Sequence, residues 1–360
     1  MPIRKSSRFY NSDYMSRRMD KRLQEIEDQI QDIYSEAILN TNRRLNAYLS
    51  EFADYEEELQ DKLKRGEITQ EMYNQAMSDA ILQTTQYQGV IQNLADSLVD
   101  SDVMAMAIVN GELPYVVAES YNFVQSLGFA AADEAGISVG TFQIYNARSV
   151  QAILLNNPNL LPHVNEDEDR RWNITQINRE ITQAIVSGEP VQSLAGRLQR
   201  VANMDNNAAI RNARTSMTAA ENLGRTEAAR FIRSQGVPID EVWSATHDNR
   251  TRDTHILLDG TKKDANGYYG VGIIDTPLRF PGDPLGDPGE IYNCRCRENI
   301  VLQGIDHSQD GELYAQFMQE NYPSDWSQLR DRIPTQDWLD QRRREAQERV
   351  DRRREERRSQ

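Results

Sequence analysis

Both cysteines and two of the four histidines of the chain lie between residues 243 and 296. Cysteine thiolates and histidine nitrogens are the ligands that zinc prefers in a tetrahedral site. Three ligands could come from His255, Cys294 and Cys296. A fourth could come from one of three neighbouring side chains, which are His247, Asp248 and Asp259. These residue types therefore indicate a segment that could hold a zinc ion.

The two cysteines also have an interpretation without a metal. Residues 291–302, IYNCRCRENIVL, are close to the alternation of a β-strand, and in a regular strand Cys294 and Cys296 point to the same face. They would then be small buried residues, with His255 hydrogen-bonded beneath them. A C-x-C pair shares a metal only where the chain bends between the thiolates. We therefore expect no cofactor, and zinc is the alternative.

The polar residues before His255 also allow two interpretations. In the structural one, Asp248 caps a short helix that carries His255 and Leu258, and the two arginines Arg250 and Arg252 pair with nearby acids such as Asp253 or Asp259. In the catalytic one, Asp248 and His255 form an acid and base pair. The chain has no nucleophile elbow, no phosphate-binding G-x-x-x-x-G-K-[ST] loop and no H-E-x-x-H. We therefore expect a protein that is not an enzyme.

The order of these residues forms an extended motif. A D-x-R-T-R-x-x-H-x-x-x-D-G block is followed, after a loop rich in proline and glycine, by N-C-R-C. The residues of the motif are Trp243, Asp248, Arg250, Thr251, Arg252, His255, Asp259, Gly260, Asn293, Cys294, Arg295 and Cys296. This arrangement resembles the phage Mu F-like head-morphogenesis family over about residues 205–300, including the helix RNARTSMTAAENLGRTEAAR. Many relatives have a histidine shortly before N-C-R-C, where this chain has Glu290-Ile291-Tyr292.

The resemblance implies a structural minor head protein of a tailed phage. Such a protein lies inside the capsid near the portal and assists capsid assembly and genome packaging or ejection. The implied partners are the portal, scaffold or major capsid protein, and the implied location is the virion, after assembly in the host cytoplasm. The alternative is a metal-dependent hydrolase or an ADP-ribosyltransferase-like enzyme that uses His255, Asp248, Cys294 and Cys296.

Helical periodicity dominates the rest of the chain. Apolar residues spaced by three, four or seven over residues 17–63 predict a long amphipathic helix or a helix pair. Gly66 then suits a helix C-cap and Thr69 an N-cap, and further helices are predicted up to residue 235, with breaks at Gly111 and Pro114. Strands are predicted at 241–246 and 291–302. The fold class is therefore mainly α with a small α+β C-terminal module.

Composition divides the chain into five regions. These are a basic, flexible N-terminus (1–20), two helical regions (21–135 and 136–235), the α+β module (236–305) and a helical tail with an arginine-rich end (306–360). The formal net charge is −15, although both ends are basic. Nine tail arginines could contact packaged DNA or an acidic partner, because guanidinium binds phosphate and carboxylate in a bidentate manner: Arg342, Arg343, Arg344, Arg349, Arg352, Arg353, Arg354, Arg357 and Arg358.

Two classes of binding are not supported by the sequence. Residues 241–300 have a net charge of −3, so Trp243 and its neighbouring aromatic residues are expected in a core rather than on a nucleic-acid platform. No run approaches 18 consecutive apolar residues, and the basic residues near Met1 are not followed by an apolar segment. We therefore expect neither a membrane span nor a signal peptide.

Overall fold

The computed structural model describes residues 13–82, 85–141, 144–145, 150, 154, 161–187, 189, 193–302, 310–330, 344, 348, 352 and 355. The helices of the first two thirds are α1 (Asp13–Ser50), α2 (Ala53–Lys64), α3 (Gln70–Leu82), α4 (Thr85–Glu134), α5 (Glu166–Val186) and α6 (Leu194–Ser234). The remaining elements are β1 (Ile239–Ser244), α7 (Asp253–Leu258), α8 (Pro288–Ile291), β2 (Arg297–Leu302), α9 (Asp310–Asn321) and α10 (Pro323–Arg330). The predicted fold class, mainly α with a small α+β module, is confirmed.

Gly66 and Thr69 end and begin helices as predicted. Gly66 follows α2 with a φ of 73°, a left-handed conformation that glycine adopts without steric cost. The hydroxyl of Thr69 accepts a hydrogen bond from the backbone N–H of Met72 at 3.2 Å, which caps α3. The amphipathic pattern of residues 17–63 thus corresponds to a helix pair, α1 and α2.

The predicted breaks at Gly111 and Pro114 are wrong, because α4 continues through both residues. A proline inside a helix costs about 3 kcal/mol. The neighbouring side chains of Leu113, Val116 and Val117 are buried, and each such burial contributes about 1.5 to 3 kcal/mol. Packing therefore outweighs the local preference against a helix.

The chain forms two compact units that are discontinuous in sequence. Unit 1 contains residues 1–27, 108–162 and 211–342, and unit 2 contains residues 28–107, 163–210 and 343–360. The core of unit 2 is built from apolar residues of α1 to α6, including Leu45, Tyr48, Ile91, Ile181 and Val201. The division into five regions stays a prediction, since it rests on composition rather than on packing.

Unit 2 also contains two carboxyl groups in largely desolvated surroundings, of which Asp205 is buried and Asp102 is partly exposed. Desolvation by burial raises the pKa of Asp102 to about 7 and that of Asp205 to about 8. The negative charge of Asp102 raises the pKa of Asp205 further. The hydroxyl of Tyr34 donates a hydrogen bond to Asp102. These two groups therefore bind protons in the folded protein at a pH where they would be ionised in water.

In unit 1, α4 and α6 approach closely at a glycine. A Cβ added at Gly224 would lie 2.4 Å from the backbone oxygen of Val117. The same pair of helices meets at Gly128, where an added Cβ would lie 2.4 Å from the side chain of Ile232. Only glycine allows this separation, so α6 is held against α4 by backbone proximity.

Strands β1 and β2 form an antiparallel pair that follows α6. The register pairs Ile239 with Leu302 and Ser244 with Arg297. The predicted second strand, 291–302, is too long, because β2 begins only at Arg297 and residues 291–296 form a short helix end and a turn. None of the helices that the structure describes has the length and apolarity required to cross a bilayer.

Candidate functional site

One face of α6 holds the backbone that carries the two cysteines. The hydroxyl of Thr218 donates a hydrogen bond to the carbonyl of Cys294 at 2.8 Å. The side-chain amide of Asn222 donates to the carbonyl of Cys296 at 3.2 Å and accepts from the N–H of Glu298 at 2.8 Å. Residues 218 and 222 are one helical turn apart and therefore point the same way. Neither residue was predicted as part of the site, because their role depends on the tertiary approach of the 294–298 backbone to α6.

The cysteines lie in a bend and not in a strand, which corrects the expectation of a common strand face. Asn293 has a φ of 56°, which turns the chain directly before Cys294. Its N–H donates to the hydroxyl of Thr215 on α6 at 3.1 Å. Arg295, between the cysteines, is partly exposed, whereas Cys294 and Cys296 are both buried. The bend thus places both thiols inside while the intervening side chain faces outward.

The imidazole of His255 lies against both thiols. Its Nδ1 is 3.4 Å from Sγ of Cys296 and 3.7 Å from Sγ of Cys294. The indole of Trp243 packs edge to face on the same ring, at a centroid distance of 5.1 Å. Contacts with Cys294 and then with His255 lower the pKa of Cys296, and contact with Cys296 together with burial raises the pKa of Cys294. The thiol of Cys296 therefore loses its proton more readily than that of Cys294.

The other imidazole nitrogen faces a carboxylate that the sequence analysis did not include among the site residues. Nε2 of His255 lies 3.0 Å from Oε2 of Glu290. The hydroxyl of Thr254 donates to the same oxygen at 2.9 Å. Glu290 belongs to α8, whose first turn is capped by the side chain of Asp287. The signal that could have identified Glu290 is its place three residues before Asn293, close to both cysteines in sequence.

Asp248 pairs with Arg295 and does not cap α7, in contrast to the structural interpretation of the sequence. Its carboxylate accepts two hydrogen bonds from the Arg295 guanidinium, at 2.5 and 2.8 Å. It also accepts the N–H of Arg250 at 2.9 Å and the hydroxyl of Thr251 at 3.3 Å. The N-cap position of α7 is occupied by Arg252, without a side-chain cap. The hydrogen bonds from Arg295, followed by the one from the backbone N–H of Arg250, hold the pKa of Asp248 well below its usual value.

The other motif residues hold the loop around the thiols. Asp259 accepts the backbone N–H of Ala245 at 2.9 Å, and Nε2 of His247 lies 3.1 Å from the second oxygen of Asp259. The N–H of Gly260 donates to the carbonyl of Trp243 at 2.8 Å. Arg252 binds the carbonyl of Tyr292 at 2.5 Å, rather than the predicted acids. His247, Asp248 and Asp259, the three predicted sources of a fourth metal ligand, therefore all have other partners.

A buried charged cluster lies next to β2. Lys263 lies 2.6 Å from Oε1 of Glu298 and 2.5 Å from Oε1 of Glu241. The hydroxyl of Thr226 on α6 donates to Glu298 at 2.5 Å. Burial raises the pKa of Glu298, although Lys263 opposes that shift. Sequence reasoning did not detect this cluster, because charged residues in a short strand ordinarily indicate an exposed face.

Most of the predicted tail contacts lie outside the described residues. These are Arg342, Arg343, Arg349, Arg353, Arg354, Arg357 and Arg358. Arg344 and Arg352 are described, and both are exposed. Contact of the tail with packaged DNA stays a prediction.

Comparison with known protein families gives one match. Residues 175–298 match the family described as Phage Mu protein F like protein. No curated protein and no solved structure gives a significant match. The matched segment contains α6, β1, the thiol and imidazole cluster and all twelve motif residues. The resemblance found in the sequence is therefore confirmed, and the chain carries a phage Mu F-like region over residues 175–298.

Proposed function

We propose that this chain is a structural minor head protein of a tailed phage, placed inside the head near the portal, where it acts in capsid assembly and in genome packaging or ejection. The observation that carries the proposal is the Phage Mu protein F like match over residues 175–298. That family suggests a phage head morphogenesis protein. The match covers α6, β1, α7 and α8 and ends at the start of β2, so the resemblance extends well beyond a short motif.

The surface of this module supports a role in binding other head proteins. Among the described residues, thirteen large apolar side chains are exposed, and seven of them lie between residues 256 and 292. A concentration of exposed apolar side chains is typical of a protein interaction site. Residues 241–300 have a net charge of −3, which opposes binding to nucleic acid. These exposed residues are candidates for contact with the portal, scaffold or major capsid protein, the partners that the family match implies.

The geometry gives less support to the enzyme alternative. An acid and base pair of Asp248 and His255 would need a carboxyl group that exchanges protons near neutral pH. Asp248 is instead paired with Arg295, and its pKa is well below the usual value. His255 is buried against Cys294, Cys296 and Trp243. These contacts resemble those of a structural cluster more than those of an open catalytic site.

The proposal is tested by quantitative mass spectrometry of purified procapsids and DNA-filled particles from the producing lysate. Peptides of this chain are counted against peptides of the portal and of the major capsid protein. We expect the chain in both kinds of particle, at low copy relative to the major capsid protein. Its absence from particles, together with its presence in the soluble lysate, would show that the assignment is wrong.

Matched surface variants test the docking surface itself. Leu257, Val271 and Leu285 are 65%, 59% and 60% exposed, and Leu39 on α1 is 58% exposed. Because these side chains face solvent, replacing any of them with aspartate should leave folding intact. We expect Leu257→Asp, Val271→Asp or Leu285→Asp to lower incorporation into particles, and Leu39→Asp to leave it unchanged. Equal incorporation of all four variants would contradict a docking role for the module.

A further inference from the structure

The cluster of His255, Cys294 and Cys296 has the dimensions of a metal site. Nδ1 of His255 lies 3.4 Å from one sulfur and 3.7 Å from the other. The three ligand atoms all lie within 4.8 Å of one another. In tetrahedral zinc sites the bonds are about 2.3 Å to sulfur and about 2.0 Å to nitrogen, so a nitrogen and a sulfur ligand are about 3.5 Å apart. The observed separations therefore match two edges of such a tetrahedron.

We propose that His255, Cys294 and Cys296 bind a Zn²⁺ ion. A set of two thiolates and one imidazole suits zinc better than the oxygen-seeking ions Mg²⁺ and Ca²⁺. Within the part of the chain that the structure describes, no further His, Cys, Asp or Glu side chain joins this set. Zinc sites with three protein ligands take a water molecule in the fourth position.

Two neighbours of His255 are compatible with Nδ1 as the zinc ligand. Glu290 lies 3.0 Å from Nε2, on the side of the ring opposite to the sulfurs, and receives a hydrogen bond from Thr254. A carboxylate at that nitrogen favours the tautomer with a proton on Nε2 and a free electron pair on Nδ1. Histidine ligands of zinc ordinarily have such a partner. Trp243 packs against the ring and limits its rotation.

Charge and proton balance are consistent with a buried ion. When Zn²⁺ binds, the thiols of Cys294 and Cys296 release their two protons to solvent, and each sulfur forms a bond to the metal through a lone pair. The two thiolate charges neutralise the dication, which reduces the free energy cost of placing it in a buried site. Binding involves no oxidation or reduction, because zinc has one stable oxidation state in proteins.

The ion would add a further link between two segments of the module that are distant in sequence and already share hydrogen bonds. His255 lies on α7, and the cysteines lie directly before β2, with the Pro/Gly-rich loop between them in sequence. A sheet of two strands is only marginally stable in isolation. Because the ligand set forms only when α7 and the 294–296 bend are folded together, zinc binding stabilises the folded module relative to the unfolded chain. This inference does not depend on the proposed role in the phage head.

The first experiment measures metal in the full chain. The protein is purified without a histidine tag under reducing conditions, loaded with zinc and dialysed, and its zinc content is measured by inductively coupled plasma mass spectrometry. We expect about one zinc per chain, as for a site with three protein ligands. Replacement of zinc by Co²⁺ should add thiolate-to-cobalt charge-transfer absorption, which reports sulfur ligation directly.

Variants identify the ligands and the positioning residue. Cys294→Ser, Cys296→Ser and His255→Ala should each lose the zinc and the cobalt absorption, whereas His247→Ala should keep both. Glu290→Gln should keep the metal but bind it about 10 to 100 times more weakly, the usual effect of removing a partner of a ligating histidine. Its matched control is Glu227→Gln, because Glu227 is a partly buried glutamate that pairs with Arg230 on the surface of α6. That control should bind zinc with unchanged affinity.

Two results with the wild-type protein would overturn the proposal, and neither depends on variants that fail to fold. One is wild-type protein that holds almost no zinc after loading while both thiols remain reactive. The other is an intact mass that is lower by two hydrogens, which would show a Cys294–Cys296 disulfide in place of a metal site. Loss of zinc from His247→Ala as well as from His255→Ala would also contradict the ligand set.

Discussion

Asn222 provides the sharpest test of how α6 supports the site. Its side chain is fully buried and accepts the N–H of Glu298 while donating to the carbonyls of Pro281 and Cys296. Replacing it with alanine leaves one donor and two acceptors without these partners. A buried polar group without a partner costs about 1 to 3 kcal/mol, and carbonyls fall at the lower end because they have two lone pairs. We expect Asn222→Ala to lower the free energy of unfolding by about 3 to 5 kcal/mol.

The assay combines urea unfolding with hydrogen exchange. The midpoint of the transition should fall, and amides of β2 at 297–302 should exchange faster, because Asn222 holds the outer edge of that strand. Asn207→Ala is the control, since Asn207 is exposed on the same helix and alanine there should be neutral or slightly stabilising. A wild-type midpoint together with unchanged exchange at 297–302 in Asn222→Ala would refute the reasoning.

Two further substitutions test other parts of the fold. Gly224→Ala should lower the unfolding midpoint, because the added Cβ would lie 2.4 Å from the Val117 oxygen. Gly196→Ala is the control on the same helix; the space around Gly196 is open, so this change should raise the free energy of unfolding by about 0.5 to 1 kcal/mol. Equal effects at both positions would contradict the close helix contact. Because desolvation raises the pKa of Asp102 to about 7, the folded protein retains a proton that the unfolded chain releases above about pH 4, so the free energy of unfolding should fall as pH rises from 5 to 7. In unfolding titrations, Asp102→Asn should reduce the slope of the free energy of unfolding against pH by up to about 1.4 kcal/mol per pH unit. Asp32→Asn, at an exposed position on α1, should leave that slope unchanged. An unchanged slope in Asp102→Asn would contradict the desolvation of Asp102.

Much of the site could be predicted because its residues are close in sequence and chemically distinctive. The sequence analysis grouped His255 with Cys294 and Cys296, and the structure brings the three side chains into contact. The expected strand across both cysteines was wrong. Alternation of side chains predicts a strand, but it does not reveal that Asn293 adopts a positive φ and bends the chain. The backbone conformation of Asn293 therefore decides whether Cys294 and Cys296 line the face of a strand or converge on His255.

The supporting residues were harder to predict because their roles depend on tertiary contacts. Thr218 and Asn222 are ordinary helix residues by type, and only the approach of the 294–298 backbone gives them partners. The same holds for α4, where local preference predicted breaks at Gly111 and Pro114 that packing overrides. Periodicity predicts which face of a helix is covered, but it does not specify what covers that face.

The extent of the family match has a physical explanation in these contacts. Strands β1 and β2 form a two-stranded antiparallel pair, which is marginally stable without further packing. Asn222 satisfies the outer edge of β2 at Glu298, and Thr226 on the next turn of α6 binds the Glu298 carboxylate. The strands, the thiol bend and α6 therefore form one structural unit. A family defined only by the motif at 243–296 would omit the helix that satisfies its backbone, and the match, which begins within α5, includes all of α6.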